Sequence, residues 1–150
     1  MIRARTQKEA MGKVIVKIKL TNRSDVILNR AGARKARPRH AEVEALVGTG
    51  ATRLYLKPSI IKKLGLGKVR NVISRTANGN VERGEFEEVN LELMGRSATL
   101  SVVEIPEDVP NLLGQVPLEL LDFVVDPRGQ RLLANPEHDG IQMTEVFLGR

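Results

Sequence analysis

Residues 45–66 read ALVGTGATRLYLKPSIIKKLGL. An alternating apolar segment runs into Val47-Gly48-Thr49-Gly50-Ala51-Thr52, followed by a second short apolar run and a lysine-bearing segment stopped by Gly65. A glycine-rich turn after a strand first suggests a phosphate loop. The dinucleotide fingerprint needs G-x-G-x-x-G between a strand and a helix, so that free helix N–H groups meet the pyrophosphate. Gly48 and Gly50 supply the first two glycines, but Arg53 stands third and RLYLK continues as a strand. No Gly-Lys-Ser or Gly-Lys-Thr follows, so the Walker pattern fails as well.

Outward from this stretch, the pattern is that of short strands. Val14, Val16, Ile18 and Leu20 alternate with Ile15, Lys17, Lys19 and Thr21, which predicts a strand over 13–21 with one face buried. TNRSD reads as a turn before the short run Val26-Ile27-Leu28. Ala41, Val43, Ala45 and Val47 alternate with Glu42 and Glu44 in a second strand that enters Gly48. RLYL reads as a short strand, and KPSIIKKLGLG as a short helix with Pro58 early and Gly65 as its left-handed stop. Strands over 68–76 and 81–94 flank Ala77-Asn78-Gly79-Asn80, a hairpin signal. SATLSVVEI, after a turn at Gly95-Arg96, is a further strand. A helix around 117–121 and a last strand at 123–125 precede a polar, turn-rich end. The expectation is an all-β fold, a closed barrel or folded sheet with one or two short helices.

Composition narrows the function. With 150 residues the chain suits one domain, and with no cysteine it has neither disulfides nor thiolate metal sites. Its two histidines have no metal-ligand spacing, so neither a metal nor a cofactor is expected. There is no membrane-length apolar run and no signal-peptide core, and a cytoplasmic setting is the expectation. The net charge of +6 is concentrated: residues 1–40 hold twelve Lys or Arg against Glu9 and Asp25. The cluster Arg34, Lys35, Arg37 and Arg39, bracketed by Gly32 and Pro38, reads as a solvated loop, with a polyanion-binding patch as the alternative. Three Phe, one Tyr and no Trp leave little for base stacking, so nucleic acid is not the expected partner.

Taken with its neighbours, residues 45–66 resemble the ALVDTGAT…L…LGL stretch of retroviral-like (retropepsin-type) aspartic proteases, with Gly48 at the family's Asp position. RTANGNV resembles the family's flap, and LLGQVPLELLDFVVDP its two-hydrophobics-then-glycine element followed by a helix and a strand. The resemblance spans residues 12–138, leaving 1–11 as an N-terminal extension and 139–150 as a C-terminal tail.

The resemblance implies a homodimer acting on an extended peptide or protein, because the family's reaction needs two facing carboxylates that share one proton. It implies that Gly48, Thr49 and Gly50 form the catalytic loop, with Thr49 pinning the two loops together near the axis. Ala51 and Thr52 complete the loop, and Ala77, Asn78, Gly79 and Asn80 form the flap tip over the substrate. Leu112, Leu113 and Gly114 pack behind the loop. Taken alone, each motif is an ordinary turn or buried run. Asp122 and Asp126 are read as a helix end and a turn, His40 as a loop residue and His138 as a turn residue. Glycine can neither accept a proton nor orient water, so the expected function is an aspartic-type endopeptidase fold that is catalytically inactive as written. The alternative is a natural pseudoprotease that binds peptides.

Overall fold

The computed structural model describes residues 13–126 and 128–148. The expected extension over 1–11, and the last two residues of the tail, lie outside the described residues. The chain is mostly β, built on a seven-stranded mixed sheet in the order β1-β2-β7-β3-β6-β5-β4. Its strands are β1 (Ile15–Asn22), β2 (His40–Val47), β3 (Leu54–Leu56), β4 (Lys68–Thr76), β5 (Gly79–Leu93), β6 (Arg96–Glu104) and β7 (Leu112–Leu113). β1 is antiparallel to β2 and also pairs with β5, Leu20 opposite Leu91.

The period-two pattern is realised where one face is buried. Ile18, Leu20, Leu54, Leu56, Leu91, Val102 and Leu113 are all within 1% of complete burial, each stabilising the fold by roughly 1.5–3 kcal/mol relative to exposure. In β5 the spacing changes between Phe86 and Val89, and the pairing with β6 carries an irregularity at that point.

Among the described residues, three α-helices flank the sheet: α1 (Arg23–Arg30), α2 (Pro58–Leu64) and α3 (Gln115–Leu121). α1 corrects the expectation of a turn at TNRSD and of at most two helices. Its start is fixed by the buried Asn22, whose side-chain oxygen accepts from the Asp25 amide at 3.0 Å while its Nδ2 donates to Leu64 O at 2.8 Å. Asp25, also buried, accepts from the Arg39 amide and guanidinium at 2.9 Å, and Arg34 lies 3.5 Å away. Arg39 thereby holds the Asp25 carboxyl down, from 3.8 to about 2. Two of the four cations in the basic cluster are thus engaged inward by one carboxylate, which corrects the picture of a wholly solvated loop.

The same knot reaches α2. Gly65 closes that helix at φ +65°, and a Cβ there would lie 1.9 Å from Arg39 Nη1. Glycine is favoured at this point by conformation, and any side chain would have to displace the guanidinium packed over it.

The chain end is more ordered than its polarity suggests. β8 (Phe123–Asp126) forms an antiparallel hairpin with β9 (Arg131–Ala134), a strand missing from the sequence reading. A 3-10 turn over Pro136–His138 follows. His138 is buried, and its Nδ1 lies 2.5 Å from Asp122 Oδ2, which also accepts from the Met143 amide at 3.0 Å. Asp122 ends α3 at φ 60°, as read from sequence. His40 opens β2 opposite Thr21, not a loop.

Candidate functional site

β7 positions the glycine loop by sitting between the two strands the loop connects. It is parallel to β2, Leu46 opposite Leu112, and antiparallel to β3, Leu54 opposite Leu113. The chain leaving β2 at Val47 must therefore cross over β7 to re-enter at Leu54. The Gly48 amide donates to Leu113 O at 3.0 Å, the Ala51 amide to Gly48 O at 2.9 Å, and the Gly114 amide to Arg53 O at 3.0 Å. The first turn of α3 completes the clamp, Gln115 N donating to Ala51 O (2.8 Å) and Val116 N to Thr52 O (2.9 Å). Amides that a helix start leaves without intrahelical partners are thus used to fix the loop.

Gly114 is enforced by this crossing, since a Cβ would fall 2.6 Å from the carbonyl oxygens of both Ala51 and Arg53. Gly48 is not so constrained. A Cβ there would meet only Ala51 Cβ at 3.7 Å and Leu112 Cδ2 at 4.0 Å, ordinary contacts. The backbone at position 48 accommodates a Cβ without rearrangement. Gly48 is half-buried, while Thr49 and Gly50 are exposed at the loop tip.

The β4–β5 hairpin extends on the other side of a groove. Its turn is Ala77-Asn78, with Gly79 already in β5 opposite Thr76 and Asn80 opposite Arg75, so β5 begins two residues earlier than the sequence suggests. Thr76 Oγ1 donates to Gly79 O at 2.7 Å and accepts from the Asn78 amide at 3.2 Å, and Gly79 takes φ +107°. Residues 77–80 are all exposed.

Between loop and hairpin lies a groove of about 670 Å³. Gly50, Ala51 and Thr52 line one side and Ala77 the other, with Tyr55, Val72, Ile105 and Leu112 among the walls. Of the residues singled out from sequence, these four and Leu112 line the groove. Gly48, Thr49, Asn78, Gly79, Asn80, Leu113 and Gly114 do not. Neither Asp122 nor Asp126 lines it.

Sequence reading missed the ion cluster beside the loop. Glu85, buried on β5, accepts from Arg53 and Arg70, while Ser101 Oγ donates to it at 3.0 Å. Arg53, on the loop side, also donates to Ser101 Oγ at 2.5 Å. These donors, Arg53 foremost, lower the Glu85 carboxyl from 4.5 to about 2. Glu85 lies in the run VERGEFEEV, where residue type does not distinguish it from Glu82, Glu87 or Glu88.

No group of three or more His, Asp or Glu able to hold a metal occurs among the described residues. No described helix is long and apolar enough to cross a membrane.

A glycine loop threaded over a short central strand, faced across a groove by a long hairpin, defines an aspartic-peptidase-like domain. Residues 35–119 match the family described as "gag-polyprotein putative aspartyl protease", and the chain belongs to that family. No curated protein matches the sequence.

Proposed function

We propose that the chain is the subunit of a homodimeric aspartic endopeptidase whose catalytic position is occupied by Gly48, leaving it able to bind extended peptides but not to cleave them. Two copies of the loop would meet on the two-fold axis, each contributing residue 48, Thr49 and Gly50, with Leu112, Leu113 and Gly114 supporting it from behind. With aspartate at 48 in both copies, one carboxylate would draw a proton from water while the other protonates the scissile carbonyl. Ala77, Asn78, Gly79 and Asn80 would close over the substrate and exclude water, and the peptide would lie along the groove by strand addition. The domain is read as extending over 12–138, as a closed barrel. That reading is supported by β1 pairing with both β2 and β5.

The observation that carries this reading is the room at Gly48, in a loop otherwise clamped by backbone hydrogen bonds. A substitution confined to this position removes both carboxylates of a dimer while leaving the groove intact. The intact groove also favours a second reading, a natural pseudoprotease that uses it for binding alone. The Gly48→Asp variant, assayed on a peptide library with and without an aspartic-protease inhibitor, tests the proposal. Inhibitable cleavage is expected, and a folded, dimeric variant that cleaves nothing would overturn it.

A further inference from the structure

Among the described residues, the charged side chains lining the groove are Arg53, Arg75 and Arg83, and no carboxylate lines it. Arg53 is matched by Glu85, but that carboxylate is buried and shared with Arg70 and Ser101. Arg75 and Arg83 make no side-chain hydrogen bond or ion pair of their own among the described residues. Arg83 is half-buried opposite Val72, and Arg75 stands opposite Asn80 near the hairpin tip. The nearby carboxylates Glu82 and Glu104 line a separate depression, which Arg83 also borders. Glu82 there accepts from Asn71 at 2.6 Å. The groove is therefore positive, with two uncommitted guanidiniums above apolar walls that include Val72, Ile105, Val109 and Leu112.

We propose that the groove selects extended peptides carrying an acidic side chain among apolar ones, with Arg75 and Arg83 as the specificity-determining residues; this rests on the groove being the peptide site. A guanidinium fork matches a carboxylate in shape and charge, and closure of the hairpin removes water from the pair and strengthens it. Apolar walls serve the neighbouring side chains. A polynucleotide finds a poorer match, because Tyr55 is the single aromatic lining residue among the described residues and offers no succession of stacking surfaces.

The test uses matched peptides differing by Glu or Gln at one position, scanned along a twelve-residue sequence. Binding to the unaltered chain is read by fluorescence anisotropy, and turnover is read with the Gly48→Asp variant. At one or more positions Glu should improve affinity and kcat/KM by about fivefold over Gln. The preference should shrink between about 50 and 500 mM salt, and approach unity in the Arg75→Gln/Arg83→Gln variant. Equal binding of Glu and Gln peptides by the unaltered chain overturns the proposal without reliance on any variant. So does a preference that survives in a folded double variant, or tighter binding of a single-stranded oligonucleotide than of any acidic peptide. A Gly48→Asp variant that cleaves nothing, while the unaltered chain still selects Glu peptides, would remove the peptidase reading and leave the selectivity standing. Cleavage of Glu and Gln peptides at equal rates would do the reverse.

Discussion

The Gly114 amide donates to the carbonyl of Arg53 at 3.0 Å, and the same carbonyl oxygen lies 2.6 Å from where a Gly114 Cβ would be. One backbone contact both holds the glycine loop and forbids a side chain behind it. Gly114→Ala should therefore displace the loop and lower stability by about 1–3 kcal/mol, as overpacking does. Gly50→Ala, with nothing within 4 Å of the added methyl, should be far milder. Denaturant melts of the two variants compare them directly, and equal losses would contradict the clamp.

Asp25→Asn should be costly despite its distance in sequence from the site. The change leaves Arg39 facing a neutral amide and loses charge-assisted bonds to both the Arg39 backbone and side chain, on the order of 2 kcal/mol. The same loss should appear in the wild-type chain on acidification. Asp25 and Glu85 both have folded pKa values lowered to about 2, from 3.8 and 4.5 respectively. Their stabilisation is full above the unfolded values and disappears as pH falls towards 2. A melting temperature that is flat from pH 5 to about pH 2 would contradict this.

The Asp122–His138 pair predicts an opposite limb. Hydrogen bonding to Asp122, aided by the charges of Glu145 and Glu137, raises His138 above 6.5, while bonding to His138 lowers Asp122 below 3.8. The histidine contribution is full below 6.5 and is lost as pH rises through its raised folded value. The aspartate contribution is full above 3.8 and is lost as pH falls. The melting-temperature difference between wild type and His138→Gln should be largest between these two values. It should shrink as pH rises through the raised folded value of His138.

Much of this architecture was legible because burial on one face of a strand leaves a period-two trace. Val14 to Leu20 and Ala41 to Val47 show it plainly. α1 left no such trace: Ile27 and Leu28 are exposed, and the helix is anchored by Asn22 and Asp25 through partners at Leu64 and Arg39, distant in sequence. β9 is only four residues long, paired with a strand just as short. The glycine loop could be read from its own residues, since its motif is contiguous. The Arg53–Glu85–Arg70 cluster could not, because the loop before β3 meets β5 and β4 only in the folded sheet.

Removing the carboxylates should favour association of the proposed dimer. Two facing aspartates repel and cost desolvation, both absent with Gly48. Sedimentation near neutral pH should find the unaltered chain at least as dimeric as Gly48→Asp. Markedly weaker association of the glycine form would argue against loops that meet on the axis.

In the proposed dimer, catalysis would need residue 48 from both subunits, and mixing the two forms measures this. The Gly48→Asp chain is held at fixed concentration, an equal amount of unaltered chain is added, and peptidase activity is read after subunit exchange. Mixed dimers would carry one aspartate and be inactive, so activity should fall to about half. Activity unchanged by the added chain would contradict the shared site.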